Sequence, residues 1–148
     1  MDAAELRLIY EPDDEYLGEL FAEVKSGAFA GMGSDWFDRI QLKETFVAAL
    51  RAFPLDPNSL PAIGRKNLNR ESFELLDQRH LHIAISPYDR RGTLHVQVDL
   101  ASPSYGGVQQ AVIVRFLTEY SAVADFAERL DKMLDGAAKE AVLKGFRT

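Results

Sequence analysis

Two alternating stretches near the start of the chain constrain the fold most strongly. Apolar residues alternate with charged or polar ones in ELRLIY (residues 5–10) and in LGELFAEVKS (residues 17–26), and EPDDEY (residues 11–16) separates them. A period of two is typical of strands with one buried face, so the stretches predict a β-hairpin. Pairing Leu8 with Leu20 places the apolar residues of both strands together on one side.

The opposite side of the predicted hairpin is acidic and also carries two apolar residues. A slip of one residue would bury the glutamates, so the hydrophobic pattern decides which side faces water. Apolar side chains surrounded by charge are typical of a contact surface. A solvated face, or a face covered by another element, is the alternative. We predict a partner-binding site made of Glu5, Ile9, Glu11, Glu19, Phe21 and Glu23.

Charge is concentrated at this end of the chain. The net charge is −6, and the first 24 residues hold eight acids and one base, so the remaining residues are nearly neutral. Nucleic-acid binding needs a basic surface, and the acidic hairpin therefore disfavours it. The same charge favours a basic protein partner, because opposite charges steer association.

The length of 148 residues is typical of one domain with its own core. We predict a single domain spanning residues 1–148, with a long loop at 54–72. The chain has no cysteine, which excludes disulfides, thiolate catalysis and cysteine zinc sites. The start of the sequence lacks the features of a signal peptide, and no apolar stretch reaches about 20 residues. We therefore expect a cytoplasmic protein with no membrane partner.

The stretch GAFAGMGSDWFD (residues 27–38) has three glycines within seven residues. A phosphate-binding loop would need Gly-Lys-Ser or Gly-Lys-Thr before the helix, and a dinucleotide site would need Gly-x-Gly-x-x-Gly; neither is present. The alternation instead predicts a strand whose glycines allow close packing. We expect Phe29 and Trp36 to lie in the core.

Helical spacing appears twice. Asp38 is a candidate cap of the first helix, with Gln41 three residues later, and Pro54 would end it. The core stripe of that helix is predicted as Leu42, Phe46, Leu50 and Phe53. The second helix begins near Ser121, with a core stripe of Val123, Phe126, Ala127, Leu130, Met133 and Leu134. AAKEAVLKGF (residues 137–146) predicts a short last helix.

Four further stretches are strand candidates: residues 73–77, 80–86, 93–101 and 108–120. The middle two predict a hairpin in which Ile85 faces Leu94. Together with the first three strands, they indicate an α+β fold. We predict a bent antiparallel sheet of about six or seven strands with two main helices packed on it.

All three histidines fall on one face of this central hairpin. The predicted register sets His80 opposite Asp99 and His82 opposite Gln97, with His95 further along. Two histidines separated by one residue on a strand can reach one metal ion, so His80, His82, His95 and Asp99 form an alternative metal or enzyme site. A polar strand face uses these residue types without any metal. No Gly-x-Ser-x-Gly elbow is present, and we predict neither a catalytic residue nor a cofactor.

Residues 26–54, the strands that follow and residues 117–143 together resemble a family of small bacterial proteins. The motifs that carry this resemblance are Phe29, Gly31, Gly33, Trp36, Phe37, Asp135 and Gly136. Some members are WapI-type immunity proteins, which neutralise a secreted toxin inside the cell that makes it. The resemblance implies a non-enzymatic protein-binding domain with a toxin partner. A metal-dependent enzyme and a self-associating domain that pairs through a sheet edge are the alternatives.

Overall fold

A computed structural model describes residues 2–64, 80–103 and 108–147, and in them the chain forms one antiparallel sheet of eight strands with two helices. The strands are β1 (Asp2–Pro12), β2 (Leu17–Ser26), β3 (Phe29–Asp38), β4 (Ala62–Ile63), β5 (Leu81–Pro87), β6 (Thr93–Ala101), β7 (Ala111–Glu119) and β8 (Ala141–Arg147). Their order across the sheet is β3-β2-β1-β8-β7-β6-β5-β4. The first helix runs through Arg39–Leu42, Lys43–Val47 and Ala48–Leu50, the middle segment being π-helical, and the second spans Tyr120–Leu134. The α+β class is confirmed.

The predicted number of strands is wrong, because β4 and β8 were not expected. β4 lies within the predicted loop at 54–72, and β8 replaces the predicted short helix at 137–146. Ala141 and Leu143 of β8 are fully buried, and they pair with strand β1. Tertiary burial therefore overrides the local helix preference of this stretch. The strand predicted at 73–77 lies outside the described residues.

Both predicted hairpin registers are wrong by two residues. In the first hairpin Leu8 faces Ala22 and not Leu20, and pairing continues as far as Pro12 and Gly18. The strands extend into the predicted turn because the Asp14 carboxylate accepts the N–H groups of two following residues and so tightens the connection. A shift of two leaves every side chain on its predicted side, and the two faces of the hairpin are confirmed.

The glycines of β3 allow close packing, as the sequence predicted. A Cβ at Gly31 would overlap Val112, and one at Gly33 would lie 3.3 Å from Leu100. Val112 and Leu100 belong to β7 and β6, which are not neighbours of β3 in the sheet order. The sheet therefore bends until β3 lies over these two strands, and larger side chains at the glycine positions would hold them apart.

The core lies between this bent sheet and the two helices. Asp38 caps the first helix as predicted, since its carboxylate accepts the N–H groups of Ile40 and Gln41. All six residues predicted for the core stripe of the second helix are buried. In the stripe of the first helix, Leu42, Phe46 and Leu50 are buried. Phe53 is 79% exposed, against prediction, because the helix ends at Leu50.

Two further residues predicted for the core are exposed. Phe29 is 65% exposed at the start of β3, and Trp36 is 40% exposed. Trp36 alternates with the buried Phe37, so the strand places it on the solvent side of the sheet. Phe29 lies on the same side of β3 as Phe37, so its exposure follows from its place at the start of the strand, whereas alternation explains the exposure of Trp36.

Charged side chains connect the two helices at their solvent-exposed ends. The Lys43 ammonium lies 2.6 Å from the Asp135 carboxylate and 3.4 Å from that of Asp131. The hydrogen bond to Asp135 raises the pKa of Lys43, while partial burial opposes it. These contacts join the first helix to the C-terminal end of the second. In the described residues, no helix is both long and apolar enough to cross a membrane.

Candidate functional site

The solvent side of β1, β2 and β3 brings nine residues into three cross-strand rows. The rows are Glu11–Glu19–Trp36, Ile9–Phe21–Ser34 and Arg7–Glu23–Met32. Neighbours within a row are about 4.8 Å apart along the hydrogen-bonding direction, and successive rows are about 6.8 Å apart. We call these nine residues the hairpin face. It contains five of the six predicted site residues.

The sixth predicted residue, Glu5, lies on the same side but in a different electrostatic environment. Its cross-strand neighbours are Lys25 on β2 and Lys144 on β8. Two cations therefore flank one carboxylate, and the row containing Glu5 is not acidic. The acidic part of the surface is limited to the rows nearer the β1–β2 turn.

A groove of about 450 Å³ lies in the hairpin face. Its apolar walls come from Ile9, Phe21 and Met32. Ile9 is 38% exposed and Met32 is 77% exposed, so these side chains present apolar surface to solvent. The rim is formed by Arg7, Glu11, Glu23 and Ser34.

The rim has an excess of negative charge. The Nε atom of Arg7 lies 3.3 Å from the Glu140 carboxylate, so its charge is offset from outside the groove. The Ser34 hydroxyl donates to Glu19 over 2.7 Å. Glu11 and Glu23 form no ion pair with any other residue that the structure describes. The groove therefore combines an apolar centre with carboxylates that can accept a cation.

Sequence reasoning missed Met32 and Trp36 as members of this surface. Both occupy the same alternating positions of β3 as Ser34, opposite to the buried Phe37. That alternation was visible in the sequence, but pairing of β3 with β2 was needed to place these residues beside Phe21 and Glu19.

The histidine face differs from the predicted arrangement. His82, and not His80, faces Asp99, while His95 faces Ser86 near the other end of the hairpin. Burial, followed by the nearby Arg115 guanidinium, lowers the pKa of His95. Across residues 2–64, 80–103 and 108–147, no three His, Asp or Glu side chains form a group that could hold a metal ion. The alternative site made of His80, His82, His95 and Asp99 is therefore spread along the strands.

His80 instead lies beside a carboxylate of β3. Its backbone N–H donates to Asp35 over 2.9 Å, and its Nδ1 atom lies 3.9 Å from the same oxygen. The Asp35 carboxylate is buried and also accepts the N–H of Trp36. This contact connects the start of β5 to the strand that carries Trp36, and its role is to position those strands.

We expect no tightly bound transition metal at the histidine face, because His95 is four residues along β6 from Asp99. The measurement is elemental analysis of protein purified without an affinity tag. A stoichiometric metal that disappears in a His80→Ala, His82→Ala double variant would contradict this expectation and favour the metal-dependent enzyme.

A second cavity of about 770 Å³ lies near the start of the second helix. Phe53 and Tyr120 pack edge to face on one side of it, with ring centroids 4.9 Å apart. Its charged lining is mixed, with two arginines and two acids: Arg90, Arg91, Asp89 and Glu119. The cations and acids are equal in number, so the lining favours neither an anionic nor a cationic ligand.

The hairpin face is the best-supported candidate site in the described part of the chain. It joins exposed apolar side chains, carboxylates and a groove on one surface, whereas the second cavity has no charge preference. This assignment depends on geometry, because no protein-family model matches the chain and no curated protein matches it either.

Proposed function

We propose that this protein is a non-enzymatic protein-binding domain whose basic partner docks on the hairpin face. The observation that supports this most directly is the groove, with exposed apolar walls inside an acidic rim. Apolar patches rimmed by charge are typical of interaction surfaces. A face needed only for solubility would have no reason to expose Met32 and Trp36 together.

The pairing of carboxylates adds a second argument. Glu11 lies directly opposite Glu19, and like charges in this arrangement destabilise a sheet. A cationic group of a partner would relieve that repulsion on binding. A basic partner would therefore gain more binding free energy at this pair of carboxylates than at a single isolated carboxylate.

The family resemblance suggests what that partner is. An immunity protein would use this face to cover a basic surface of its toxin, and the toxin partner stays a prediction. Self-association is the competing candidate, because β3 ends the strand order and carries the exposed Met32. Measuring the oligomeric state distinguishes a toxin partner from self-association. Only self-association would make the oligomeric state change when Met32 is replaced.

We expect charge and apolar contact on this face to affect different rate constants. Changing Glu19 and Glu23 to lysine should slow association several-fold at low salt, and the effect should shrink at high salt. Phe21→Ala should speed dissociation about tenfold, because buried aromatic side chains are typical binding hot spots. Surface plasmon resonance with a partner captured from the native organism measures both constants.

Two control variants match these changes in charge and size. Glu44 and Asp125 are exposed residues on the two helices, and changing both to lysine alters net charge equally. Phe53→Ala removes an exposed phenyl ring far from the hairpin face. If the partner binds the hairpin-face variants as it binds the parent and the controls, its site lies elsewhere.

A further inference from the structure

The walls and rim of the groove specify a particular kind of side chain. The walls are apolar over Ile9, Phe21 and Met32, while the nearest uncompensated charges are the carboxylates of Glu11 and Glu23. A side chain that fits must place an apolar stem at the centre and a positive group at the rim. Among protein side chains, only lysine and arginine combine the two.

The aromatic residues favour arginine over lysine. Phe21 lies in the groove, and Trp36 stands in the adjoining row beside Glu19. A guanidinium group is planar, stacks on aromatic faces and binds a carboxylate through two parallel hydrogen bonds. An ammonium group is a compact, strongly hydrated charge and gains less from stacking.

The one cation on the rim does not oppose this arrangement. Arg7 forms an ion pair with Glu140, which lies outside the groove, and this contact offsets its charge. The excess of negative charge therefore persists on the rim at Glu11, and Glu19 lies opposite Glu11 in the row that also carries Trp36.

Building on the proposed function, we infer that the groove binds an arginine side chain of the partner, with the guanidinium on the Glu11–Glu19–Trp36 row. The volume of about 450 Å³ leaves room for this side chain and for the neighbouring backbone of the partner. The partner is thus a protein that presents an exposed arginine on a basic surface.

Three small probes test the inference directly: Nα-acetyl-arginine amide, Nα-acetyl-citrulline amide and Nα-acetyl-lysine amide. Citrulline has nearly the shape of arginine without its charge. Trp36 is the only tryptophan of the chain and lies on the row that receives the guanidinium, so its fluorescence reports occupancy. We expect the arginine probe to bind at about 1–10 mM, a range set by its small size.

The expected order of affinity is arginine, then lysine, then citrulline. The citrulline probe should bind at least about tenfold more weakly, since it loses the charge-assisted hydrogen bonds. Equal binding of arginine and lysine would overturn the assignment to arginine and indicate a general cation site. Equal binding of arginine and citrulline would show that the carboxylates play no part.

Variants locate the probe on the protein. Glu11→Gln with Glu19→Gln keeps the shape of the rim and should abolish the preference for arginine over citrulline. Phe21→Leu keeps an apolar wall without the ring and should reduce the preference for arginine over lysine. Glu44→Gln with Asp125→Asn is the matched control on the helices and should leave both preferences unchanged. Thermal melts of each variant check that the fold is retained.

The outcomes separate this inference from the proposed function. If the probes do not discriminate but partner kinetics depend on Phe21 and on Glu19 with Glu23, the arginine inference fails and the binding function stands. If the probes discriminate but partner kinetics ignore the hairpin face, the groove recognises guanidinium groups and the proposed docking surface is wrong.

Discussion

Phe126→Ala is expected to lower the free energy of unfolding by about 3–5 kcal/mol, the usual range for a buried phenylalanine. Phe126 is fully buried in the middle of the second helix, within the stripe that packs on the sheet. Truncation removes the apolar area of the ring and leaves a cavity that a close-packed core fills only in part. Urea titration with an unchanged denaturant slope measures the effect.

Phe29→Ala is the matched control for this measurement. It makes the same chemical change at a side chain that is 65% exposed, although the sequence predicted it to be core. We expect a cost below about 1 kcal/mol there, as for most surface substitutions. A small effect at Phe126 would show that the helix presents a different face to the sheet, and a large effect at Phe29 would restore the sequence prediction.

Gly145→Ala is expected to cost about 2–3 kcal/mol, at the upper end of the usual range for overpacking. Gly145 lies in β8, and a Cβ there would overlap the carbonyl oxygen of Leu117 and the ring of Phe116. A backbone carbonyl cannot rotate away without disturbing the strand that holds it. Strands β7 and β8 would therefore have to separate where they pair.

Gly33→Ala provides the comparison for this second variant. Its nearest contacts would be the Cβ atom and one Cδ atom of Leu100 at 3.3 Å, so relief of the contact needs a shift of only a few tenths of an ångström. Both variants reduce the entropy of the unfolded chain in the same way, so the difference between them reports the clash. Chemical denaturation should show a cost for Gly33→Ala of less than about 1 kcal/mol. Equal costs would contradict the close approach of β8 to β7.

The histidine face illustrates how a small error in register changes a site. A period-two pattern is identical after a shift of two residues, so the sequence could place the histidines on one face but could not pair them. In the observed register Asp99 faces His82 and not His80, and His80 lies beside Asp35, a residue distant in sequence. A site built across strands depends on register, and turn geometry and packing determine register.

Strand β8 shows where prediction from local helix preference fails. Its sequence contains good helix formers, and local preference predicted a helix. The chain instead inserts it between β1 and β7, where Ala141 and Leu143 are buried on pairing. Such a choice depends on partners far along the chain, and no window of local sequence contains them.

The sequence by itself determined the two sides of the first hairpin, the Asp38 cap, the buried stripe of the second helix and the close packing of the β3 glycines. Each of these follows from alternation, helical spacing or side-chain size within one short stretch. Only the tertiary structure decided that Met32 and Trp36 join Ile9 and Phe21 around a groove, because these residues come from three different strands. Their meeting depends on strand order and register, which are set by the packing of the whole sheet and are not properties of any one strand.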